Sequence, residues 1–508
     1  MMQVIWFKRD LRIHDHTALT LASIEGACMP LYILEPTLWH QADMSQRQYQ
    51  FLKDCLTELD LELQKIGQHL IIKVGDAVSI LQEINESFPV SGLWSHQETW
   101  NSWTYARDKR VESWADMHSI PWFQHAGNGV VRHLKTRNGW AINWNEQMKK
   151  PVTEAPHYLK GLDFCSDTLP AAEALGLKED GYHLGQRGGR SEALLLLDSF
   201  LYERGERYTK EMSSPLTAFD SCSRLSAHLA FGTLSVREVF HALEARNQQV
   251  KSLPPLAKGK WPSAIRSFSG RLRWHCHFIQ KLEDEPRIEF ENLHSAYDRL
   301  RRDEFNVDYF EAWKVGETGY PMIDACMRAL VATGWLNFRM RAMLASFASF
   351  HLWLHWRQPA LHLARLFVDY EPGIHYSQMQ MQSGTTGINS IRIYNPIKQG
   401  IDHDPDGEFI RSWVPELKNM PKENIHRPWE LSAQMNGYPM PIVDEKKARK
   451  FAADKIYSIR KNTEHKQETK QIVKKHASRK QTTKGKKVSE SIKKGGDKKQ
   501  SSQGELPF

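Results

Sequence analysis

The sequence predicts an α/β domain built on a doubly wound parallel sheet, then an all-α domain, then a largely disordered basic tail. Three observations carry this. Residues 1–130 alternate short apolar runs with helical patterns, a βαβ rhythm. Residues 191–440 show helical apolar periodicity with little strand signal. Residues 441–508 are rich in Lys, Gln, Ser and Thr and hold few large apolar side chains to offset their chain entropy. Residues 131–190 read as a connector.

In the first domain Gln3–Phe7 and Cys28–Leu34 are buried-strand patterns, with a helix over Thr17–Ser23 between them. Ser45–Ile66 has the spacing of a long amphipathic helix. The strand His69–Val74 follows, then a turn at Gly75–Asp76, a helix to about Glu86, and a fourth strand from Gly92 to Ser95. Sheets of this kind bind ligands at the carboxyl ends of their strands. No GxGxxG follows any strand, so the usual dinucleotide fingerprint is missing. The connector holds GQRGGR (Gly185–Arg190), which reads either as a phosphate cradle or as a turn that caps the next helix. In the second domain Leu194–Leu201, Val236–Glu244, Ser263–Leu282, Pro321–Thr333 and Asn337–Leu354 are the helical patterns. Lys446–Arg460 also has helical character within the tail.

The 508 residues suffice for two or three domains with a sizeable core. No stretch approaches the roughly 20 apolar residues of a membrane helix, and the N-terminus lacks the layout of a secretory signal. The six cysteines form no CxxC pair, which argues against zinc and iron–sulfur sites and fits a reducing, cytoplasmic compartment. Net charge is +8, unevenly spread: residues 446–508 hold 20 Lys/Arg against 6 Asp/Glu, a net of +14, which leaves −6 on residues 1–445. The tail reads as a salt-sensitive contact for nucleic acid, or as a solvated extension.

Several segments resemble one family, the DNA photolyase/cryptochrome flavoproteins. They are WFKRDLRIHDHTAL (Trp6–Leu19), SRLSA from Ser223, GYPMIDACMR (Gly319–Arg328), TGWLNFRMR (Thr333–Arg341) and IRIYNP (Ile391–Pro396), in the family's order. The resemblance implies an N-terminal antenna domain with a second chromophore and a helical domain holding FAD. It places Ser223, Arg224, Leu225 and Ser226 at the FAD phosphates, with Tyr208 upstream and Cys222 where the family often has Thr. Hydroxyls, backbone N–H groups and a guanidinium at a helix start suit a pyrophosphate. The resemblance makes Arg341 and Asp369 a salt bridge at the flavin edge, adds Glu371 as a second acid there, and sets His375 against flavin N5. Trp335, Phe338 and Tyr370 complete the expected FAD site.

The chain also departs from the family. Trp356 matches the middle of a three-tryptophan electron-transfer chain, but the proximal position is Met379, a nearby aromatic position is Met381, and the outer one is Asp303. Trp353, Tyr370, Tyr376 and Trp335 are the substitute relays. Trp274 is kept in the lesion-facing stretch, with Arg271 where an acid would sit and His275 where an Arg would sit. Arg271 and His275 lie one helical turn apart and share a face. The paired histidines that (6-4) photolyases carry after TGW are absent.

For the antenna chromophore, Gln97, Glu98 and Asn101 offer hydrogen bonds, with Trp100 or Trp103 to stack; folate, deazaflavin and FMN remain equal alternatives. The C-terminal QGELPF resembles bacterial sliding-clamp ligands through Gln503, Leu506 and Phe508. The expectation is a monomeric, light-driven DNA repair enzyme in which photoexcited reduced FAD passes an electron to a pyrimidine dimer. A cryptochrome-like photoreceptor without repair activity is the alternative.

Overall fold

Residues 2–161 and 164–476 are described by a computed structural model of the chain. Five parallel strands make one sheet: β1 (Met2–Phe7), β2 (Ala27–Leu34), β3 (Ile71–Val74), β4 (Val90–His96) and β5 (Trp122–His125), in the order β3-β2-β1-β4-β5. Val4 in β1 pairs with Met29 on one side and Leu93 on the other. β1 is buried along its whole length because helices cover both faces, which is why it reads as a continuous apolar run. The strand His69–Val74 is shorter than expected. β5 was not foreseen: WFQH is brief, and its Phe123 is exposed, so neither length nor pattern marks it.

Strand order reverses between β1 and β4. The segments Lys8–Arg12 and Gln97–Trp100, which leave those strands, therefore meet at one crevice, the expected place for a ligand in such a sheet. The helix Gln46–Lys65 begins at Ser45, whose N–H donates to Gln48 in a reciprocal cap. The glycine run before the helix Arg190–Tyr202 is a cap and not a phosphate cradle. Gly188 N–H donates to Asp54, Gly189 N–H to the Cys55 sulfur and Ser191 N–H to Glu58, so its donors are already used.

The helical domain is organised around the 24-residue helix Trp261–Asp284. Pro321–Thr333 is helical as predicted, opened by Pro321 and closed by the left-handed Gly334. The single helix expected over Asn337–Leu354 is instead Phe338–Ser346 followed by a π-helical turn at Phe347–His351. No glycine or proline announces that break.

The two domains share one apolar core that runs from Ile5, Phe7 and Phe51 to Phe231, Met340 and Trp356. Backbone carbonyls at the junction are satisfied from the N-terminal side. Arg47 donates to the carbonyls of Leu330 and Leu366, and Gln48 to those of Ala364 and Phe367. Gly232, at φ +72°, lets the backbones touch: a Cβ there would lie 2.2 Å from the Arg9 carbonyl.

The helix read over Lys446–Arg460 is present, but the disorder expected on its C-terminal side needs correction. Glu445–Arg460 and Thr463–His476 are helices docked on the domain. Ala452 and Ile456 pack against Tyr297 and Phe350, and Ile472 against Leu282, Ile288 and Leu293. Few apolar residues suffice because they share one helical face and meet a surface already built. Of the segment expected to be disordered from 441, Glu445–Arg460 and Thr463–His476 are helical, and residues 477–508, with Gln503, Leu506 and Phe508, lie outside the described residues.

The helix Pro372–Ser383 crosses the central helix at Gly373, where a Cβ would stand 2.5 Å from the Ile279 Cα. Gly373→Ala should therefore lower the denaturation midpoint, at a cost of roughly 1–3 kcal/mol for forcing packed backbones apart. An unchanged midpoint would show that the two helices separate freely.

Candidate cofactor and lesion site

One face of the central helix carries Arg271, Trp274, His275 and Phe278. All four are half-buried, while Leu272, Cys276 and Ile279 on the other side are buried. That face of the helix is therefore open enough to meet a ligand. Trp335, Phe338 and Arg341 are half-buried in the same way. The i, i+4 spacing does bring Arg271 and His275 to one face. Arg271 lies against Met212 and Tyr208: its Nη2 is 3.5 Å from the Met212 sulfur, and it hydrogen-bonds Tyr208. His275 reaches the small pocket at the sheet crevice, beside Arg9, Glu98, Trp100 and Glu371. Burial lowers the His275 pKa to about 4, so its ring is neutral at pH 7.

The Cys222–Ser226 turn is held from below by Arg204, which donates to the carbonyls of Asp220, Cys222 and Ser223. Arg204 was not anticipated; it lies 18 residues before Cys222, and nothing local in sequence marks it. Ser226 opens the short helix Ser226–Phe231, with Leu225 as its cap residue. Arg224 sits in the left-handed region at φ +60°, a conformation costly for a non-glycine residue. Its guanidinium lies 4.3 Å from the Trp335 ring and 3.8 Å from that of Phe219. Its Nε is buried without a partner, and desolvation lowers its pKa to about 10. Burial pushes the neighbouring Cys222 thiol up to about 11, against the pull of Arg224, Arg204, Arg271 and Arg341. Four guanidinium groups thus lie near enough to act on that thiol.

Arg341 and Asp369 form a two-pronged pair, with N–O distances of 2.9 and 2.8 Å. Arg341 Nε also donates to the Leu336 carbonyl, and its plane lies 4.0 Å from the Phe367 ring. His375 is buried, and its Nε2 lies 2.9 Å from the Ala360 carbonyl. Only a protonated nitrogen can make that bond, so Nε2 carries the hydrogen and Nδ1 remains an acceptor in the neutral ring. Burial lowers its pKa to about 4, so proton donation near neutral pH is not its role. Glu371 ends the chain before the helix Pro372–Ser383. Its Oε1 is buried without a partner, and burial raises its pKa to about 8 against the attraction of Arg9.

An orphaned guanidinium nitrogen, a cationic cluster, an orphaned carboxyl oxygen and half-exposed aromatic rings fit an anionic, planar nucleotide such as FAD. Of the residues expected to hold it, Tyr208, Cys222, Arg224, Trp335, Arg341 and Asp369 adjoin one another, whereas Glu371 lies at the sheet crevice beside Arg9. Asn337 is added beside Met212. Its Nδ2 donates to the carbonyls of Met212 and Ser213, and its Oδ1 has no partner.

The substitute relays separate. Tyr370 and Tyr376 adjoin His375, with ring centres 5.3 Å away in each case, and Tyr376 is 6.3 Å from Trp356. Trp335 lies against the Arg224 guanidinium instead. Trp353 packs on Phe451 of the C-terminal helix Glu445–Arg460. Asp303 is exposed and Met379 buried.

The expected antenna residues are also partly engaged. Asn101 Oδ1 caps the helix Ser102–Met117, accepting from Thr104 N–H, and Glu98 is tied to Arg107. Glu98 and Asn101, with Trp100 and Tyr105, border a cavity of about 660 Å³ between the domains. Gln97 borders the crevice pocket instead. Asp10, His16 and His96 cluster nearby. His16 Nδ1 accepts from Leu19 N–H, so its Nε2–H must donate to Asp10, as His96 Nδ1 does. That is a hydrogen-bonded junction in which both imidazole nitrogens facing Asp10 carry hydrogens.

The family model for DNA photolyase matches residues 3–143, and that for the FAD binding domain of DNA photolyase matches residues 268–458. A deoxyribodipyrimidine photo-lyase of Streptomyces griseus is 30% identical over 464 residues, 88% of this chain and 97% of that one. A bacterial class III photolyase from Agrobacterium tumefaciens superposes with a TM-score of 0.76 at 26% identity, covering 91% of this chain and 98% of its own. An archaeal photolyase from Sulfolobus tokodaii, solved with two FAD molecules, gives 0.74 at 27% identity, covering 90% of this chain and all of that chain.

Glu371 generates a pH test. Its carboxyl titrates near 4.5 when unfolded and near 8 when folded, so the folded state holds the extra proton. Its contribution to stability is full below pH 4.5 and is lost as pH rises through about 8. Glu371→Gln should flatten melting temperature against pH across that window; an identical profile would place the proton elsewhere.

Proposed function

Because the chain belongs to the DNA photolyase/cryptochrome family, we propose that it is a light-driven DNA repair flavoprotein of the deoxyribodipyrimidine photolyase type. The observation that carries this reading is the Arg341–Asp369 pair set beside His375, with Arg341 and Arg271 both near enough to act on Cys222. Bound FAD would supply light absorption and the transfer of one electron to a pyrimidine dimer.

The chain's own residues do the positioning. Ser223, Arg224 and Ser226 would hold the phosphates, aided by Tyr208 and by Arg204 beneath the Cys222–Leu225 turn. Arg341 and Asp369 would present fixed charges at the ring edge, and Glu371 would complete its orphaned hydrogen bond there. Trp274 with Phe278 offers a stacking surface for a base turned out of its helix. Arg271 supplies positive charge to that surface. His275, held neutral, supplies one donor and one acceptor. The interdomain cavity beside Trp100 has the size of a ligand site, and we assign a second, planar chromophore to it. The DNA partner gains further attraction from the nine Lys/Arg of residues 477–508, which also carry the clamp-like end Gln503, Leu506, Phe508.

A photoreceptor without repair activity is the second reading. Met379 stands where the family has a proximal tryptophan, and two C-terminal helices close against the FAD-binding domain.

The deciding experiment illuminates photoreduced protein with UV-irradiated oligothymidine and follows the return of thymine absorbance. We expect return under blue or near-UV light only. Yellow protein that leaves the absorbance flat would favour the photoreceptor. Truncation after His476 should leave repair of a short oligonucleotide intact. It should also flatten the salt dependence of DNA affinity by about 0.7–0.9 in log–log slope for each phosphate contact removed. An unchanged slope would remove the tail from DNA binding.

A further inference from the structure

Aromatic rings run from His375 in two directions. One leads through Tyr376 to Trp356. The other leads through Tyr370 to Trp100 of the N-terminal domain, with ring centres 5.8 Å apart, and ends at the interdomain cavity. The two arms differ in what happens to a proton. Trp356 donates its indole N–H to the side-chain carbonyl of Asn292, an amide with no basicity to offer. Trp100 keeps its indole nitrogen buried without a partner. The Tyr376 hydroxyl lies between the Tyr370 oxygen, 3.2 Å away, and the Arg357 guanidinium.

Tyr370 alone among these four rings donates to a carboxylate: its hydroxyl is 2.6 Å from Asp43 Oδ2. Asp43 belongs to the N-terminal domain, two residues before the Ser45 cap, and both side chains are buried. A phenol that loses an electron becomes a strong acid, and an acceptor already in contact takes its proton without diffusion. Removing the proton traps the oxidised ring as a neutral radical and stops the electron from returning at once.

Resting on the flavin reading above, we propose that Tyr370 is the electron donor for light-driven reduction of the oxidised flavin of FAD, with Asp43 as its proton acceptor. One electron leaves the phenol for the flavin, the phenolic O–H bond breaks, the proton joins the Asp43 carboxylate, and a neutral tyrosyl radical remains. Before the flash the phenol stays protonated: burial, then Asp43, then Tyr376 push its pKa well above the tyrosine range. The junction of the two domains thereby does part of the work that a surface-directed tryptophan chain would do.

The test uses the full-length FAD protein, illuminated and frozen for electron paramagnetic resonance. We expect a radical whose signal narrows when the protein is grown on ring-deuterated tyrosine and vanishes in Tyr370→Phe. Photoreduction should slow roughly tenfold or more in Tyr370→Phe. It should also slow in Asp43→Asn, with loss of the solvent deuterium effect that the parent shows. Yellow Tyr370→Phe protein that photoreduces within about twofold of the parent would overturn the proposal. So would a parent radical indifferent to tyrosine deuteration, a readout that needs no variant to fold. Parent protein that binds no flavin would instead sink the reading on which this one rests.

Discussion

Positive charge that the fold does not neutralise by itself is the constraint on which the helical domain turns. Arg204, Arg224, Arg271 and Arg341 all act on the Cys222 thiol, and of these Arg341 has a carboxylate in two-pronged contact. Desolvation weakens Arg224 as a base and leaves its Nε without a partner. A buried guanidinium without an anion is costly. The Phe219 and Trp335 rings and the charge of Asp369 offset part of that cost, and an anionic ligand would offset more. The strained backbone at Arg224 points the same way, since strain at a left-handed non-glycine residue persists where the surroundings over-determine it.

Around that cationic centre the histidines are held neutral. His275 and His375 are both brought to about pKa 4 by burial, and His375 is fixed in one tautomer by the Ala360 carbonyl. Fixed charge therefore comes from arginine and from Asp369, while imidazoles shape hydrogen bonding. The division matters for a site that handles a charged nucleotide: a histidine titrating near pH 7 would make occupancy swing with small changes of acidity.

Much of this was legible in the chain. The βαβ rhythm marks β1 to β4 because a sheet covered on both faces writes continuous apolar runs. SRLSA, TGWLNFRMR and Asp369 mark the site because their register is long and specific. What stayed hidden was hidden for physical reasons. β5 is four residues with an exposed phenylalanine. Arg204 acts through backbone carbonyls of a turn far along the chain, a relation no spacing encodes. Asp43 meets Tyr370 across 327 residues and a domain boundary. The helix Thr463–His476 hides in a Lys-rich stretch because its stability comes from Leu282, Ile288 and Leu293, not from its own composition. The π-turn at Phe347–His351 has no account in local propensity.

The apolar core that runs unbroken through both domains, with Arg47 and Gln48 bonding carbonyls across the junction, has an optical consequence. Resonance transfer of excitation between two pigments falls steeply with separation and depends on the mutual tilt of their transition moments. A pigment seated beside Trp100 and one held by Arg341 would sit on a single rigid body. Their spacing and tilt would be set at folding, and no hinge motion would be available to tune the efficiency with which captured light is passed inward.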